Sequence, residues 1–542
     1  MNRLFSYPKR IWNRLLRRWN NRQFAQMAKT IAQKSVVKEQ QSVVFFAAST
    51  RLQGVSLNAA FNLLSAWSLR LQGVPVVHLA CECGMSLCVL GTNNQNGNEL
   101  PPCKKCISQS HFLFPGADLR WLKFEQDEQL ARLLEGMTLD DLVHLIYQKV
   151  PLGELVLPSA RWILRRHHLI DDQRTIAIYK HYILSAWSLR KDMERLLKKI
   201  NPRSLVVFNG MFYPEATARW VAGQLNIPSI SHEVGIAPNS AFFTTGSATA
   251  YPVDIPDDFQ LSVKENKVLD GYLSKRFKGD FSMAGVKFWP QMSKLDEKFL
   301  KFTKKFRQIV PVFTNVIFDT SQPHANVVFP HMFSWLDEVL DIASNHLDTL
   351  FIIRAHPDES RPGKASRESV AEWVKERNVE SLPNVVFVGP EQYFSSYEMV
   401  QRAKFIMIYN STIGLEASIM GAAVLCAGKA RFTQLDTVFF PRNTTSFRMQ
   451  AESFLNAEKI YIPASHQENA RRFLYYQIYR TSLPFDRFLQ PDGIWNGYVK
   501  LRRFPWQALL PEISPTMHAI SKGILENGDF MLPTETPEIR SN

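Results

Sequence analysis

Residues 405–431, FIMIYNSTIGLEASIMGAAVLCAGKAR, decide how the rest of the chain is read. Phe405 to Tyr409 is a short apolar run, the pattern of a parallel strand covered on both faces. Asn410-Ser411-Thr412 follows, three residues of the kind that cap helices. Ile413 to Met420 predicts a helix ended by Gly421, and Ala422 to Cys426 the next buried strand. A strand–polar turn–helix–strand unit points the N–H groups and the positive end of its helix at the space above the sheet. The Ser411 and Thr412 hydroxyls stand there too, with Gly414 just behind them. Such a turn suits a phosphate, and Glu416, one helical turn on, suits ribose hydroxyls. Taken alone, the turn can equally be only a cap; what surrounds it in the chain gives it weight.

Working outward, strands and helices alternate in both halves. Val310 to Thr314 reads as a strand leading to Asn315 and Asp319. A helix near Met332 to Ala343 precedes the strand Leu350 to Arg354, which runs out into Arg354, His356, Pro357, Asp358 and Glu359. In the first half, VVFFA (43–47), a helix over 55–72 and a strand from Val74 to Ala80 open the chain as β-α-β, the signature of a parallel sheet. Leu205 to Phe208 ends in Asn209-Gly210, and Pro228 to Ser231 ends in His232-Glu233-Val234-Gly235. Open α/β sheets bind ligands just beyond their strand C-termini. His232 and Glu233 are each chemically able to act as a base. The expected division is a basic amphipathic arm over 1–41, an acceptor-side α/β domain over 42–300, a nucleotide-binding α/β domain over 301–490 and a loose tail over 491–542. Residues 255–305, charged and helical, are expected to be the link.

With 542 residues, 45% hydrophobic and 12% aromatic, the chain is globular and long enough for two or three full cores. Its net charge of +14 favours an anionic partner. No nucleic-acid-binding motif accompanies that charge, so no nucleic acid partner is expected. No apolar run is long enough to span a bilayer and no secretory signal is visible, so a cytoplasmic location is expected. In the arm, Arg3, Lys9, Arg10, Arg14, Arg17, Arg18 and Arg22 alternate with Leu4, Phe5, Ile11, Trp12, Leu15, Leu16 and Trp19. A cationic, Trp-bearing amphipathic helix fits an anionic membrane surface, and equally a helix packed on the body with its charges solvated. Arg161, Arg165, Arg166, His167 and His168 read as a solvated helix face.

Five of the six cysteines fall between 81 and 106. Clustered thiols in a cytosolic chain read as metal ligands before disulfides. Cys103 and Cys106 supply a C-x-x-C half-site; Cys81 and Cys88 are the expected second half, with Cys83 to spare. A structural zinc is expected, with an iron–sulfur cluster or free thiols as alternatives.

Together these pieces resemble bacterial surface- and capsule-polysaccharide glycosyltransferases of the GT-B fold. The resemblance rests on T-N-x-x-x-D at 314–319, R-x-H-P-x-E at 354–359, N-S-T-x-G-L-E with G-x-x-V at 410–424, F-N-G at 208–210, H-E-x-G at 232–235 and A-R-R-F-x-Y-Y at 470–476. It covers roughly residues 42–490. A narrower similarity, to bacterial sialyl-, polysialyl- and Kdo-transferases, rests on Glu233-Val234-Gly235, His356-Pro357 and Ser411-Thr412. One of the two acidic positions of that pattern is His232 here, so the donor base stays open among CMP, UDP and GDP.

The resemblance implies an α/β fold of two Rossmann-type domains facing a central cleft. It implies a glycosyltransferase using a nucleotide-sugar donor and a glycan or lipid-linked acceptor, with no catalytic metal; the basic arm leaves open a peripheral position at the inner membrane face. Asn315, Asp319, Arg354, Asn410, Ser411, Thr412, Gly414 and Glu416 would bind the donor. His356 would neutralise or protonate the leaving group, and Glu233, or else His232, would activate the acceptor. Rival readings are a nucleotide-sugar epimerase or a wall-polymer glycerophosphotransferase of similar fold, and a non-catalytic polysaccharide-assembly protein.

Overall fold

The computed structural model describes residues 6–48, 54–92, 100–278, 293–361 and 365–533. Two parallel sheets carry the fold. In the first, Asp118–Leu122, Val76–Cys81, Val43–Phe46, Ser204–Phe208 and Ser229–Val234 lie side by side in that order, all parallel. Ser240–Thr245 and Leu483–Pro484 extend its edge antiparallel. In the second, the order is Val385–Val388, Thr349–Arg354, Gln308–Phe313, Ile406–Ile408 and Val424–Cys426, again parallel. Counting parallel strands along the chain, both sheets run third, second, first, fourth, fifth. Each therefore has a switch point between its first and fourth strands, where the loops diverge and leave a crevice.

The strands form where helices cover both faces. Every residue of Val43–Phe46 and of Thr349–Arg354 is buried, which is why these segments read as continuous apolar runs. The helix in the decisive stretch spans Ile413–Ile419, and Gly421 after it takes a φ of +82° that ends the helix at no steric cost. Gly414 has a different reason. A Cβ there would stand 2.2 Å from Ile408 Cδ1, so the glycine lets the helix lie against its own strand rather than admit a ligand.

The arm takes the second of its two readings, a helix packed on the body, whereas the expectations for the tail and the link are corrected. The arm is a helix, Ser6–Lys34, whose inner face belongs to the first core: Phe24, Ala28 and Ile31 are fully buried, and Phe24 packs 6.4 Å from Trp67. Arg3, Leu4 and Phe5 lie outside the described residues, as do the side chains of Lys9 and Arg10. The tail is not loose. Leu489–Pro491 and Tyr498–Leu501 form a small antiparallel sheet with Val55–Ser56, and Met517, Ile520 and Ile524 of the helix Pro515–Glu526 are fully buried. The chain thus returns to the first lobe after the helix Ala464–Tyr479, not at 490. Finally, Ile255, Leu269 and Leu273 share a core with Phe473 and Leu474, so much of the expected link is second-lobe structure.

The basic patch is not a solvated face either. It meets the second lobe. The His167 and His168 N–H groups donate to Glu368 at 2.8 and 2.9 Å, Arg367 N–H donates to the Arg165 carbonyl at 3.0 Å, and the Nε2 atoms of His168 and His331 are 3.2 Å apart.

Candidate active site

Above the second sheet, a cavity opens at the C-terminal ends of the strands. Its walls bring together Arg354, His356, Ser411, Thr412 and Glu416, along with Thr314, Arg276, Tyr393 and Tyr397. The strand Thr349–Arg354 ends in the cavity wall, and Ile406–Ile408 delivers the 410–412 turn beside it. Between them runs the first strand, Gln308–Phe313, and Asn315, two residues beyond its end, pins the switch point. The Asn315 side-chain oxygen accepts from the Asn410 N–H at 3.2 Å. Asn315 and Asn410 are thus engaged with each other in holding the two strand ends at a fixed spacing.

Arg354 is 5% exposed and donates to the Gly389 carbonyl at 2.8 Å. Burial lowers its pKa to about 10, which leaves it charged at neutral pH. His356 caps the turn Pro357–Ser360, its Nδ1 accepting from the Asp358 N–H at 3.1 Å. That bond puts the ring proton on Nε2. Burial lowers the His356 pKa, against the pull of Asp358 and Asp319. With Nδ1 accepting from Asp358, Nε2 is the ring nitrogen placed to carry a proton toward a bound phosphate.

Neither Ser411 nor Thr412 caps the helix it precedes: Thr412 occupies the cap position with no side-chain cap bond. The cap alternative therefore fails for this turn, and both residues line the cavity.

Glu416 differs from expectation. It is 4% exposed, its Oε1 accepts from Arg276 Nε at 2.7 Å, and its Oε2 accepts from the Tyr397 hydroxyl. With both oxygens engaged, it serves first as the counter-ion that positions Arg276 and Tyr397 in the cavity wall. Arg276 escapes sequence reasoning because it sits 140 residues from its partner, in the segment read as a link. Tyr393 and Tyr397 follow the strand Val385–Val388, so the only available signal was a polar, aromatic stretch beyond a strand end.

Across the cleft, the strand Ser229–Val234 runs on through His232 and Glu233 instead of stopping before them. Successive strand residues point to opposite faces, and the two part company accordingly. The His232 ring is fully buried between Phe208 and Phe243, at centroid distances of 6.0 and 5.1 Å, and burial drops its pKa to about 3. It is core, not a base. Glu233 faces the cleft. Its carboxylate accepts from Asn209 at 2.8 Å, Asn58 at 3.2 Å and the Val234 N–H at 2.9 Å. Burial raises its pKa above the usual carboxylate value, with the three donors pulling the other way.

Asp319 lies within electrostatic reach of both Glu233 and His356. Next to it, the Thr320 hydroxyl accepts from Asn209 at 3.3 Å. Asp319 therefore stands between the two lobes, not inside the cavity. Asn58 and Asn209, which orient the carboxylate, were missed as site residues, although Asn209 ends a strand in the F-N-G motif.

The thiols of Cys81, Cys88, Cys103 and Cys106 line a separate cavity in the first lobe. Among the described residues no three His, Cys, Asp or Glu side chains are already arranged to hold a metal ion.

Residues 287–456 match the family model described as capsule polysaccharide biosynthesis protein. The 314–319, 354–359 and 410–424 motifs all fall in that span. No curated protein matches the chain. Among solved structures, two from Thermosulfurimonas dismutans are similar in part. One is a KpsC beta Kdo 2,4 transferase, at 10% identity and TM-score 0.34, covering 55% of this chain and 84% of that one. The other is a KpsC beta Kdo 2,7 transferase, at 15% identity and TM-score 0.30, covering 52% and 80%. The UDP-GlcNAc 2-epimerase from Neisseria meningitidis bound to UDP-GlcNAc gives 12% identity and TM-score 0.23, covering 80% and 98%. At these scores the likenesses carry no weight in the functional argument below.

Proposed function

We propose that this protein is a glycosyltransferase of capsule or surface-polysaccharide assembly, moving a sugar from a nucleotide-activated donor to a glycan or lipid-linked acceptor. The observation that carries this reading is one arrangement: a buried arginine, a histidine and two hydroxyl-bearing residues around a cavity at the switch point of one sheet, facing an oriented carboxylate on the other lobe. The match to the capsule family over 287–456 supports it.

The donor's phosphate lies among Arg354, His356 Nε2–H, Ser411 and Thr412. Glu233 takes the proton of the acceptor hydroxyl as that oxygen bonds to the sugar's anomeric carbon and the bond from that carbon to the phosphate oxygen breaks. The nucleotide leaves with its negative charge held by Arg354 and His356, the interactions that strengthen as the charge develops. A carboxylate with a raised pKa is a better base near neutral pH than an ordinary one.

Membrane attachment belongs to the same proposal. Ile11, Trp12, Leu15 and Trp19 are exposed on the first helix, next to exposed Arg14, Arg18 and Arg22. Among the described residues no helix is long and apolar enough to cross a membrane, so the attachment is interfacial.

The test is product analysis with CMP-, UDP- and GDP-linked sugars, with and without a glycan acceptor. Acceptor-dependent sugar transfer supports the reading. Donor isomerisation without acceptor replaces it with the epimerase, and the absence of turnover alongside glycan binding replaces it with an assembly protein.

A further inference from the structure

The cysteine segment takes no part in the transfer chemistry above. Cys81, Cys88, Cys103 and Cys106 surround one cavity whose other walls are mostly apolar, Met85, Val89, Leu90, Phe208 and Phe212 among them. They arrive from two places. Cys81 ends the strand Val76–Cys81 and Cys88 lies in the loop beyond it, while Cys103 and Cys106 occupy the first turn of the helix Cys103–Leu113. Residues three apart on a helix share a face, so the second pair presents two sulfurs together. Cys81 is within electrostatic reach of the other three. None of these cysteines is in a disulfide.

A second observation bears on what the cavity holds. Cys81 Sγ accepts a hydrogen bond from the Gly84 N–H at 3.1 Å, and Cys88 Sγ accepts one from the Gly91 N–H at 3.2 Å. The same Cys-x-x-Gly turn thus occurs twice. Neither glycine tolerates a side chain. A Cβ on Gly84 would stand 2.7 Å from the Leu122 carbonyl oxygen, and one on Gly91 would stand 2.8 Å from Cys88 Sγ itself. A neutral thiol is a weak acceptor, whereas a backbone N–H aimed at sulfur is worth most when the sulfur is a thiolate. Thiolates collected in an apolar cavity repel one another and need a cation between them.

We propose that Cys81, Cys88, Cys103 and Cys106 bind one thiophilic divalent metal ion of the zinc class, which ties the loop after the strand Val76–Cys81 to the start of the helix Cys103–Leu113. As the side chains stand they ring the cavity without meeting at a point. On binding, each thiol gives up its proton to solvent as its bond to the metal forms. Cys83 stays outside: it is exposed, has a φ of +54° and touches Cys103. The staple is structural. Ala48 and Phe208, at the ends of two strands, share the cavity wall, and Phe208 is followed by the Asn209 that orients Glu233.

The test uses the full chain purified in reducing buffer, with bound metal measured by elemental analysis and cobalt(II) exchanged in as a probe. The expected result is about one zinc per chain, replaced by cobalt with thiolate charge-transfer absorption and the visible bands of a tetrahedral site. Cys88→Ser and Cys106→Ser lose the metal, and Cys83→Ser keeps it. Should the first two fail to fold, thiol counting on the folded wild type decides. With metal bound, Cys83 alone of the five reacts fast, and mercurial titration of the other four releases the zinc in step. A wild type without stoichiometric zinc and without the cobalt charge-transfer band overturns the proposal, as does an iron–sulfur spectrum or loss of metal in Cys83→Ser. Every readout is of metal, so the outcome stands apart from that of the transferase reading.

Discussion

Arg276 and Glu416 form an ion pair closed off from water on both sides, each side chain 6% exposed, inside the wall of the cavity above the second sheet. The pair ties the helix Val263–Phe277 to the helix that follows the 410–412 turn. Burial pulls the Arg276 pKa down, and Glu416 more than reverses it, so the guanidinium stays charged. Removing one member leaves the other as an uncompensated buried charge. Arg276→Met is therefore expected to cost about 3–5 kcal/mol, and Arg276→Met with Glu416→Leu to recover most of that loss. Calorimetry of the wild type, Arg276→Met, Glu416→Leu and the double variant in a double-mutant cycle checks this; equal destabilisation by the single and double variants would contradict it.

Binding and turnover should separate between the lobes. Arg354→Ala removes a charged hydrogen bond to phosphate and is expected to weaken nucleotide binding by about tenfold to a hundredfold. Glu233→Gln keeps the shape of the side chain but not the base. It should lower kcat by about a hundredfold or more with nucleotide affinity unchanged. Titration calorimetry beside steady-state kinetics on both variants reads the split.

His232 offers a prediction in pH. Its pKa is about 3 in the folded protein, against roughly 6.5 when unfolded. Between those values the unfolded state binds the extra proton, so the contribution of His232 to stability is fully present above about 6.5 and is lost as pH falls toward 3. His78 is buried in the same way, with the same low value. His232→Phe, placed between Phe208 and Phe243, should flatten the fall of Tm with acid and leave transfer activity in place. Loss of turnover with the fold intact would return His232 to the list of bases.

The outer face of the first helix should hold the protein to anionic vesicles. Replacing Trp12 and Trp19 with Ser is expected to reduce co-sedimentation with phosphatidylglycerol vesicles by about tenfold or more, and added salt to weaken what remains. Unchanged partitioning would assign that face to another partner.

What was legible in the sequence followed from local rules. Buried parallel strands read as unbroken apolar runs, so the strand leading to the 410–412 turn and the one ending at Arg354 stood out. Glycine at 421 closed a helix where its left-handed backbone was needed. What was missed depended on the third dimension. His232 and Glu233 are neighbours in sequence but lie on opposite faces of one strand, and nothing in H-E-x-G says where that strand stops. Glu416 looked free for ribose because its partner is distant in sequence. The residues after 490 looked loose because their apolar side chains are spaced by prolines and polar residues, with no period of their own. They are ordered by the helix Leu57–Leu71 and the first sheet, which they cover.

The central claim is that the Arg354–His356–Ser411–Thr412 cavity binds the nucleotide part of the donor. The most direct measurement is a thermal-shift panel of CMP, CDP, UDP, UMP, GDP and ADP on the wild type and on His356→Ala, because a ligand that binds only the folded state raises its Tm by mass action. The account predicts a selective rise with one nucleotide, absent in the variant; CMP would point to a sialyl- or Kdo-like donor, and UDP or GDP to a hexose donor. No rise with any of the six, or an equal rise in the variant, would contradict it.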